Sequence, residues 1–256
     1  MSAAGIVGGI GTFAEVAAAG YKVADEVGLW DKFSRLLRRK KPRILILGAS
    51  GAGKTQFVES ICNPLSLLVH ERTAATRRYT VPIQKRLFRM VDTPGQEREL
   101  RRAAIREATK NPPEGILNIV CSGYHEAAEA GSAQAVPATG SAVAKPDYLK
   151  TRQQAEINLL SEWVPNLDPG NTKWLVTVVN KADLWWPDEG SKIKNFYQAG
   201  LYASKLDDFR KKNRVLPYCS VVKPFYDFRT SGRFGDEARV RLRAHLLQTL
   251  IDLTES

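Results

Sequence analysis

Eight residues near the start of the chain have the types and spacing of a phosphate-binding loop. Residues 48–55 read G-A-S-G-A-G-K-T and follow R-I-L-I-L, an apolar run that predicts a short buried strand. Glycines let the backbone approach a ligand closely, and a helix that begins after such a loop points its first N–H groups toward an anion. Lys54 is placed to bridge the β- and γ-phosphates of a nucleotide, and Thr55 to offer its hydroxyl to Mg²⁺.

A second motif, N-K-A-D at residues 180–183, concerns the choice of base. It directly follows W-L-V-T-V-V, which predicts a central strand. The Asp183 carboxylate can accept two hydrogen bonds from the N1–H and 2-amino groups of guanine. Adenine has an acceptor at N1 and no 2-amino group, so the same carboxylate would be buried there without partners. The motif therefore favours guanine over adenine.

A third motif, D-T-P-G-Q-E at residues 92–97, ends the predicted strand L-F-R-M-V. An acid at the end of such a strand can hold Mg²⁺ through a water molecule, and the Gly95 N–H can turn toward a γ-phosphate. Gln96 is next in line and is placed to orient an attacking water. The three motifs together predict a site that binds and cleaves a guanine nucleotide.

In order and context, these motifs resemble those of the Ras-like small GTPases and the wider translation-factor-related class of P-loop GTPases. The resemblance covers roughly residues 43–254. Within it, D-T-P-G resembles the corresponding motif of the Era-like branch. It implies hydrolysis of GTP to GDP and phosphate with Mg²⁺ as cofactor. It also implies a molecular switch whose nucleotide state controls a partner interaction.

The resemblance implies further site residues in two loops. In that family a threonine of the first switch segment completes the Mg²⁺ shell. Thr73 and Thr76 both lie in the right interval, and T-R-R-Y-T-V favours Thr76. The family's last motif, a small residue whose backbone contacts guanine, is similar to residues 219–221, C-S-V.

The candidate residues fall into three groups. The candidates for catalysis are Gln96, Lys54 and Thr76, and the candidates for Mg²⁺ binding are Thr55, Thr76 and Asp92. The candidates for nucleotide contact are Gly48, Ala49, Ser50, Gly51, Ala52, Gly53, Lys54, Thr55, Gln56, Gly95, Asn180, Lys181, Asp183, Ser220 and Val221.

Strands and helices alternate in the pattern of an α/β protein. Strands are predicted at 43–47, 79–83, 87–91, 115–121, 174–179 and 215–220, and helices at 54–62, 150–163, 191–212 and 235–254, with another after D-T-P-G. This order predicts the three-layer P-loop NTPase (small GTPase) fold, in which helices cover both faces of a mostly parallel central sheet.

Two segments stand apart from this predicted GTPase domain at 43–256. Residues 1–42 predict a helical extension with a 4-3 apolar stripe and a basic end. Residues 126–144 are rich in Ala, Gly and Ser without any period, which predicts a flexible insertion. The extension either packs on its own domain or docks on a partner, another copy of the chain or a lipid surface.

Composition leaves several partners open. The formal net charge of +11 suggests nucleic acid, an acidic membrane surface or an acidic protein, although solvated lysines and arginines explain it equally well. An RNA- or ribosome-associated GTPase and a GTP-gated assembly or membrane-recruited module are therefore the alternatives to a simple switch, and the oligomeric state is undecided. The three cysteines show no disulfide or metal-ligand spacing, and the three histidines predict no ligand cluster. We expect a cytoplasmic protein, and peripheral association with a membrane is the alternative.

Overall fold

The computed structural model describes residues 42–62, 77–83, 86–92, 102, 105–106, 110, 112–125, 144–186, 188–209, 213–221 and 234–255. Six strands form one sheet in the order β2-β3-β1-β4-β5-β6. Their bounds are Arg43–Leu47 (β1), Arg77–Ile83 (β2), Arg86–Asp92 (β3), Gly115–Val120 (β4), Trp174–Val179 (β5) and Asn213–Pro217 (β6).

All neighbouring strands are parallel except β2 and β3, which form an antiparallel pair at one edge. β4 and β5 are buried along their whole length, so their sequences G-I-L-N-I-V and W-L-V-T-V-V are apolar almost throughout rather than alternating. This arrangement confirms the predicted α/β fold class. It also brings the carboxyl ends of β1, β3, β4 and β5 to the same edge of the sheet.

Five helices are described in full beside this sheet. They are Lys54–Cys62 (α1), Pro146–Trp163 (α2), Gly190–Gln198 (α3), Gly200–Lys205 (α4) and Asp236–Glu255 (α5). α2 begins four residues before the predicted start, because Pro146 occupies its first turn, where a missing N–H costs nothing.

One helix prediction is wrong. The sequence predicted a single helix over residues 191–212, whereas the structure has two helices followed by a short 3₁₀ turn at Asp207–Phe209. The break lies where Ala199 is extended and Gly200 takes a positive φ of 62°, a conformation that glycine adopts without steric cost. β6 also starts and ends earlier than predicted. It stops at Pro217, and residues 218–220 instead form a loop at the site.

α1 is fixed by contacts with two distant parts of the chain. Ser60 Oγ lies 2.8 Å from the Tyr218 hydroxyl, and the Phe57 and Tyr218 rings meet edge to face at 5.0 Å. Arg243 of α5 donates to the backbone carbonyls of Ser60 at 3.3 Å and Ile61 at 3.0 Å. These carbonyls belong to the last turn of α1, where backbone acceptors have no partner within the helix.

Two predicted segments lie outside the described residues: the N-terminal extension, apart from Pro42, and the insertion, apart from Ala144. The predicted domain division therefore stays a prediction. Among the helices that the structure describes, none is long and apolar enough to cross a membrane.

Candidate nucleotide-binding site

The loop of residues 48–53 connects β1 directly to α1. Gly51 and Gly53 have positive φ values of 76° and 88°, so this backbone path is one that L side chains rarely adopt. A Cβ added to Gly53 would also lie 2.6 Å from Asn180 Nδ2, so the close approach of the two loops requires glycine there. The first turn of α1 contains no acidic residue that would repel an anion.

Lys54 lies across this loop. Its Nζ donates to the carbonyls of Gly48 and Ala49, each at 3.0 Å, and the side chain is buried. The ammonium group is therefore held over the backbone that the sequence predicts to surround the phosphates. Thr55 and Gln56 follow in the first turn of α1 and are half-buried.

Asn180 connects three loops of the site. Its Nδ2 donates to the Ala52 carbonyl at 3.0 Å, and its Oδ1 accepts from the Ser220 N–H at 3.1 Å and the Ser220 hydroxyl at 3.0 Å. All of these bonds are buried. They use both ends of the amide, so the phosphate loop, the N-K-A-D motif and the loop after β6 are held at fixed distances.

Lys181 and Asp183 occupy a turn directly after β5. Lys181 has a positive φ of 60°, and its Nζ donates to the Tyr124 carbonyl at 2.6 Å, which ties this turn to the loop after β4. Asp183 is only 2% exposed, and Cys219 Sγ donates to its Oδ1 at 3.4 Å. The role of Asp183 in base selection stays a prediction, and its burial fits that role because an unsuitable base would leave the carboxylate unpaired.

The loop after β6 contains the residues of the loosest sequence motif. Cys219 and Ser220 are buried beside Asp183 and Asn180, and Val221 follows them, half-buried. Burial raises the pKa of the Cys219 thiol, and the charge of Asp183 raises it further, so the sulfur keeps its proton and acts as a donor. The predicted guanine contacts in this loop are thus adjacent to the N-K-A-D motif.

The residues predicted for Mg²⁺ and for hydrolysis are described only in part. Asp92 ends β3, and the register pairs it with Ile46 of β1 and with Arg77 of β2. Its backbone therefore lies beside the strand that leads into the phosphate loop. Thr73, Thr76, Gly95 and Gln96 lie outside the described residues. Their roles stay predictions.

Behind the N-K-A-D turn lies a buried polar group that the sequence analysis did not assign to any site. Glu156 of α2 accepts from the Cys121 N–H at 2.9 Å and from the Tyr197 hydroxyl, and its Oε1 lies 3.3 Å from His125 Nε2. Burial raises the Glu156 pKa to about 7, although these hydrogen bonds oppose the shift. Burial and the charges of Lys181 and Arg152 lower the His125 pKa to about 3, so His125 is neutral.

Comparison with known proteins agrees with the motifs. Residues 43–137 match the family model described as 50S ribosome-binding GTPase, a stretch that runs from β1 to beyond the end of β4. No curated protein matches the chain in sequence.

Two solved structures resemble the fold at a distance. One is the translation elongation factor SelB from Methanococcus maripaludis in complex with the GTP analogue GppNHp, with 14% identity, 85% of this chain and 34% of that chain covered, and a TM-score of 0.49. The other is the Arl6 BBS3 small GTPase from Trypanosoma brucei with the bound nucleotide analogue GppNp. It has 12% identity and a TM-score of 0.47, and the match covers 83% of this chain and 98% of that chain. The chain spans about a third of the length of the elongation factor.

The sheet order, the loop between β1 and α1 and the buried Lys54 define a P-loop nucleotide-binding protein. Over residues 43–137 the chain matches a GTPase family model, which agrees with the resemblance of its motifs to P-loop GTPases. Binding of a guanine nucleotide and hydrolysis of GTP are what this match and the motifs support.

Proposed function

We propose that the chain is a GTP-dependent molecular switch whose GTP-bound form engages a partner. The observation that carries the proposal is the bonding of Asn180 to Ala52 and Ser220, which joins the predicted phosphate-binding and base-binding parts into one unit. In this proposal the segments that sense the γ-phosphate, 71–80 and 95–106, take one arrangement on that unit with GTP and another after hydrolysis.

The residues near the phosphate loop fit Mg²⁺ as the cofactor. Mg²⁺ prefers hard oxygen ligands. Thr55 offers a hydroxyl in the first turn of α1, and Asp92 lies in register with Ile46, two residues before the loop. Thr76 directly precedes Arg77, which the register places opposite Asp92, and this supports Thr76 over Thr73 as the third ligand. Bound Mg²⁺ would neutralise charge on the β- and γ-phosphates.

Replacement of Gln96 by leucine is expected to slow GTP hydrolysis at least about 10-fold with little change in GTP affinity, because water positioning is lost while the binding groups remain. Single-turnover hydrolysis and nucleotide titration measure the two effects separately. Gln198→Leu, at the end of α3, is the matched control. Wild-type hydrolysis by Gln96→Leu would assign the water-orienting role to another residue.

The same variant tests the switch itself. A pull-down with GTP-loaded Gln96→Leu should capture a partner that the GDP-bound wild type does not. Identical captured material in both nucleotide states would reject the switch and leave the chain a GTPase without a nucleotide-dependent partner.

An RNA- or ribosome-associated GTPase is the second candidate. It is favoured by the net charge of +11 and by the description of the matched family model. Binding of ribosomal RNA to the GTP-loaded chain should weaken at least about 10-fold between about 50 and 200 mM salt, since phosphate contacts release counterions. Filter binding at two salt concentrations measures this. Absence of binding at the lower concentration would remove the candidate.

Recruitment through the N-terminal extension and the cytoplasmic location remain proposals that rest on the sequence. The basic cluster at residues 35–43, R-L-L-R-R-K-K-P-R, supports the recruitment, because such a cluster is attracted to acidic surfaces. The cytoplasmic location is supported by the three cysteines, which show no disulfide spacing.

A further inference from the structure

Three buried side chains behind the N-K-A-D turn have the chemistry of metal ligands. Cys121 and His125 lie in the loop after β4, and Glu156 faces them from α2. One ligand atom from each lies within 4.8 Å of the others, and all three residues are at most 3% exposed. This group, which we term the Cys-His-Glu cluster, is separate from the predicted phosphate and Mg²⁺ residues.

His125 is the member whose environment most needs an explanation. Both of its ring nitrogens are buried without a hydrogen-bond partner in the described structure. Nε2 lies 3.3 Å from Glu156 Oε1, but the two atoms do not have hydrogen-bond geometry. A buried polar group without a partner costs about 1–3 kcal/mol. A neutral imidazole with a free lone pair is also the form that binds metals.

Glu156 is held in position for a ligand. The Cys121 N–H donates to Oε1 at 2.9 Å and the Tyr197 hydroxyl donates to Oε2, so both carboxylate oxygens are oriented. Partners of this kind fix metal-binding carboxylates in known sites. The 3.3 Å between Oε1 and His125 Nε2 equals the edge of a tetrahedron with bonds of about 2.0–2.1 Å.

We propose that Cys121 Sγ, His125 and Glu156 bind one Zn²⁺ ion. Thiolate and imidazole ligands select zinc over Mg²⁺ and Ca²⁺, which prefer oxygen. The Cys121 thiol releases its proton to solvent on binding, so the thiolate and the Glu156 carboxylate together balance the two charges of the ion. A water molecule would take the fourth position, because Tyr197 Oη already accepts from the Ser122 N–H at 2.9 Å and donates to Glu156.

The cluster joins the loop after β4 to α2 at a place that supports base binding. The Tyr124 carbonyl of this loop accepts from Lys181 Nζ, and the Tyr148 hydroxyl of α2 donates to the His125 carbonyl at 2.6 Å. Zinc would therefore fix the loop that holds Lys181 of the N-K-A-D motif. It is a structural ion in this assignment, and its test does not depend on hydrolysis.

Elemental analysis of the full chain, expressed with added zinc and passed over a chelating resin, should find about one zinc ion per chain. Cys121→Ser and His125→Gln should each lose at least about nine-tenths of it. His245→Gln is the matched control, because His245 is exposed on α5 and should keep the wild-type content. Circular dichroism reports whether each variant folds.

X-ray absorption of the zinc-loaded wild type decides the matter even if the variants do not fold. The expected first shell contains one sulfur, with nitrogen and oxygen atoms in the remaining positions. Wild-type protein without zinc, a shell with no sulfur or with several, or unchanged zinc in folded Cys121→Ser and His125→Gln would each overturn the assignment.

Discussion

Replacement of Asp183 by asparagine is expected to reverse the base preference of the chain. The buried carboxylate is predicted to accept from N1–H and the 2-amino group of guanine, and an amide offers only one acceptor. Loss of a charged partner in a buried pair costs about 2–5 kcal/mol, which is roughly a 30-fold to several-thousand-fold loss of GTP affinity. Xanthine nucleotides should gain, because the amide can donate to the oxygen that replaces the 2-amino group.

The measurement is displacement of a fluorescent GDP analogue by GTP, XTP and ATP from wild-type and variant protein. Asp188→Asn is the matched control, since Asp188 is exposed and lies five residues beyond Asp183. This variant should leave every affinity unchanged. Folding is retained in Asp183→Asn, because Cys219 Sγ can still donate to the oxygen of the introduced amide. Equal displacement by GTP and ATP in the wild type would contradict the guanine assignment itself.

Replacement of Asn180 by alanine is expected to damage the site and the fold together. It removes three buried hydrogen bonds and leaves the Ala52 carbonyl and the Ser220 N–H without their amide partner. The loss is about 3 kcal/mol of unfolding free energy, or a fall of roughly 6–12 °C in Tm for a domain of this size. GTP affinity should fall at least about 10-fold, because the three loops no longer keep their distances.

Calorimetry and nucleotide titration check these two effects on the same protein. Asn166→Ala is the matched control: its amide is exposed and donates to the Glu162 carbonyl at 2.8 Å, so its loss should change stability by less than about 0.5 kcal/mol. An Asn180→Ala protein with weak GTP binding and unchanged Tm would show that Asn180 contacts only the nucleotide and does not hold the loops.

The fold was predictable from sequence because its strands are local and strongly patterned. The apolar runs of β1, β4 and β5 were found within one residue of their bounds, since a strand buried on both faces leaves a continuous apolar run. The break between α3 and α4 was not predicted, although Gly200 lies inside the predicted helix over 191–212. Glycine inside a helical pattern is tolerated often enough that only the actual φ of 62° shows where the helix ends.

The local motifs of the candidate site were also predictable from the sequence, whereas its long-range contacts were not. Motifs such as G-A-S-G-A-G-K-T and N-K-A-D are local, so their positions at the ends of β1 and β5 followed from the strand assignments. The bond from Cys219 to Asp183 and the contacts of Glu156 with Cys121 and His125 join residues 31 to 36 positions apart. No spacing rule links such residues, because tertiary packing alone brings them together.

The hydrogen bonds from Arg243 to the last turn of α1 have a consequence for the nascent chain. The helix that carries the phosphate loop is capped by a residue 183 positions beyond Ser60. At synthesis rates of about 5–20 residues per second, roughly 10–40 s separate the emergence of these two parts from the ribosome. During that interval the last carbonyls of α1 lack this partner, so the finished domain, and not its N-terminal half alone, holds the phosphate loop as described.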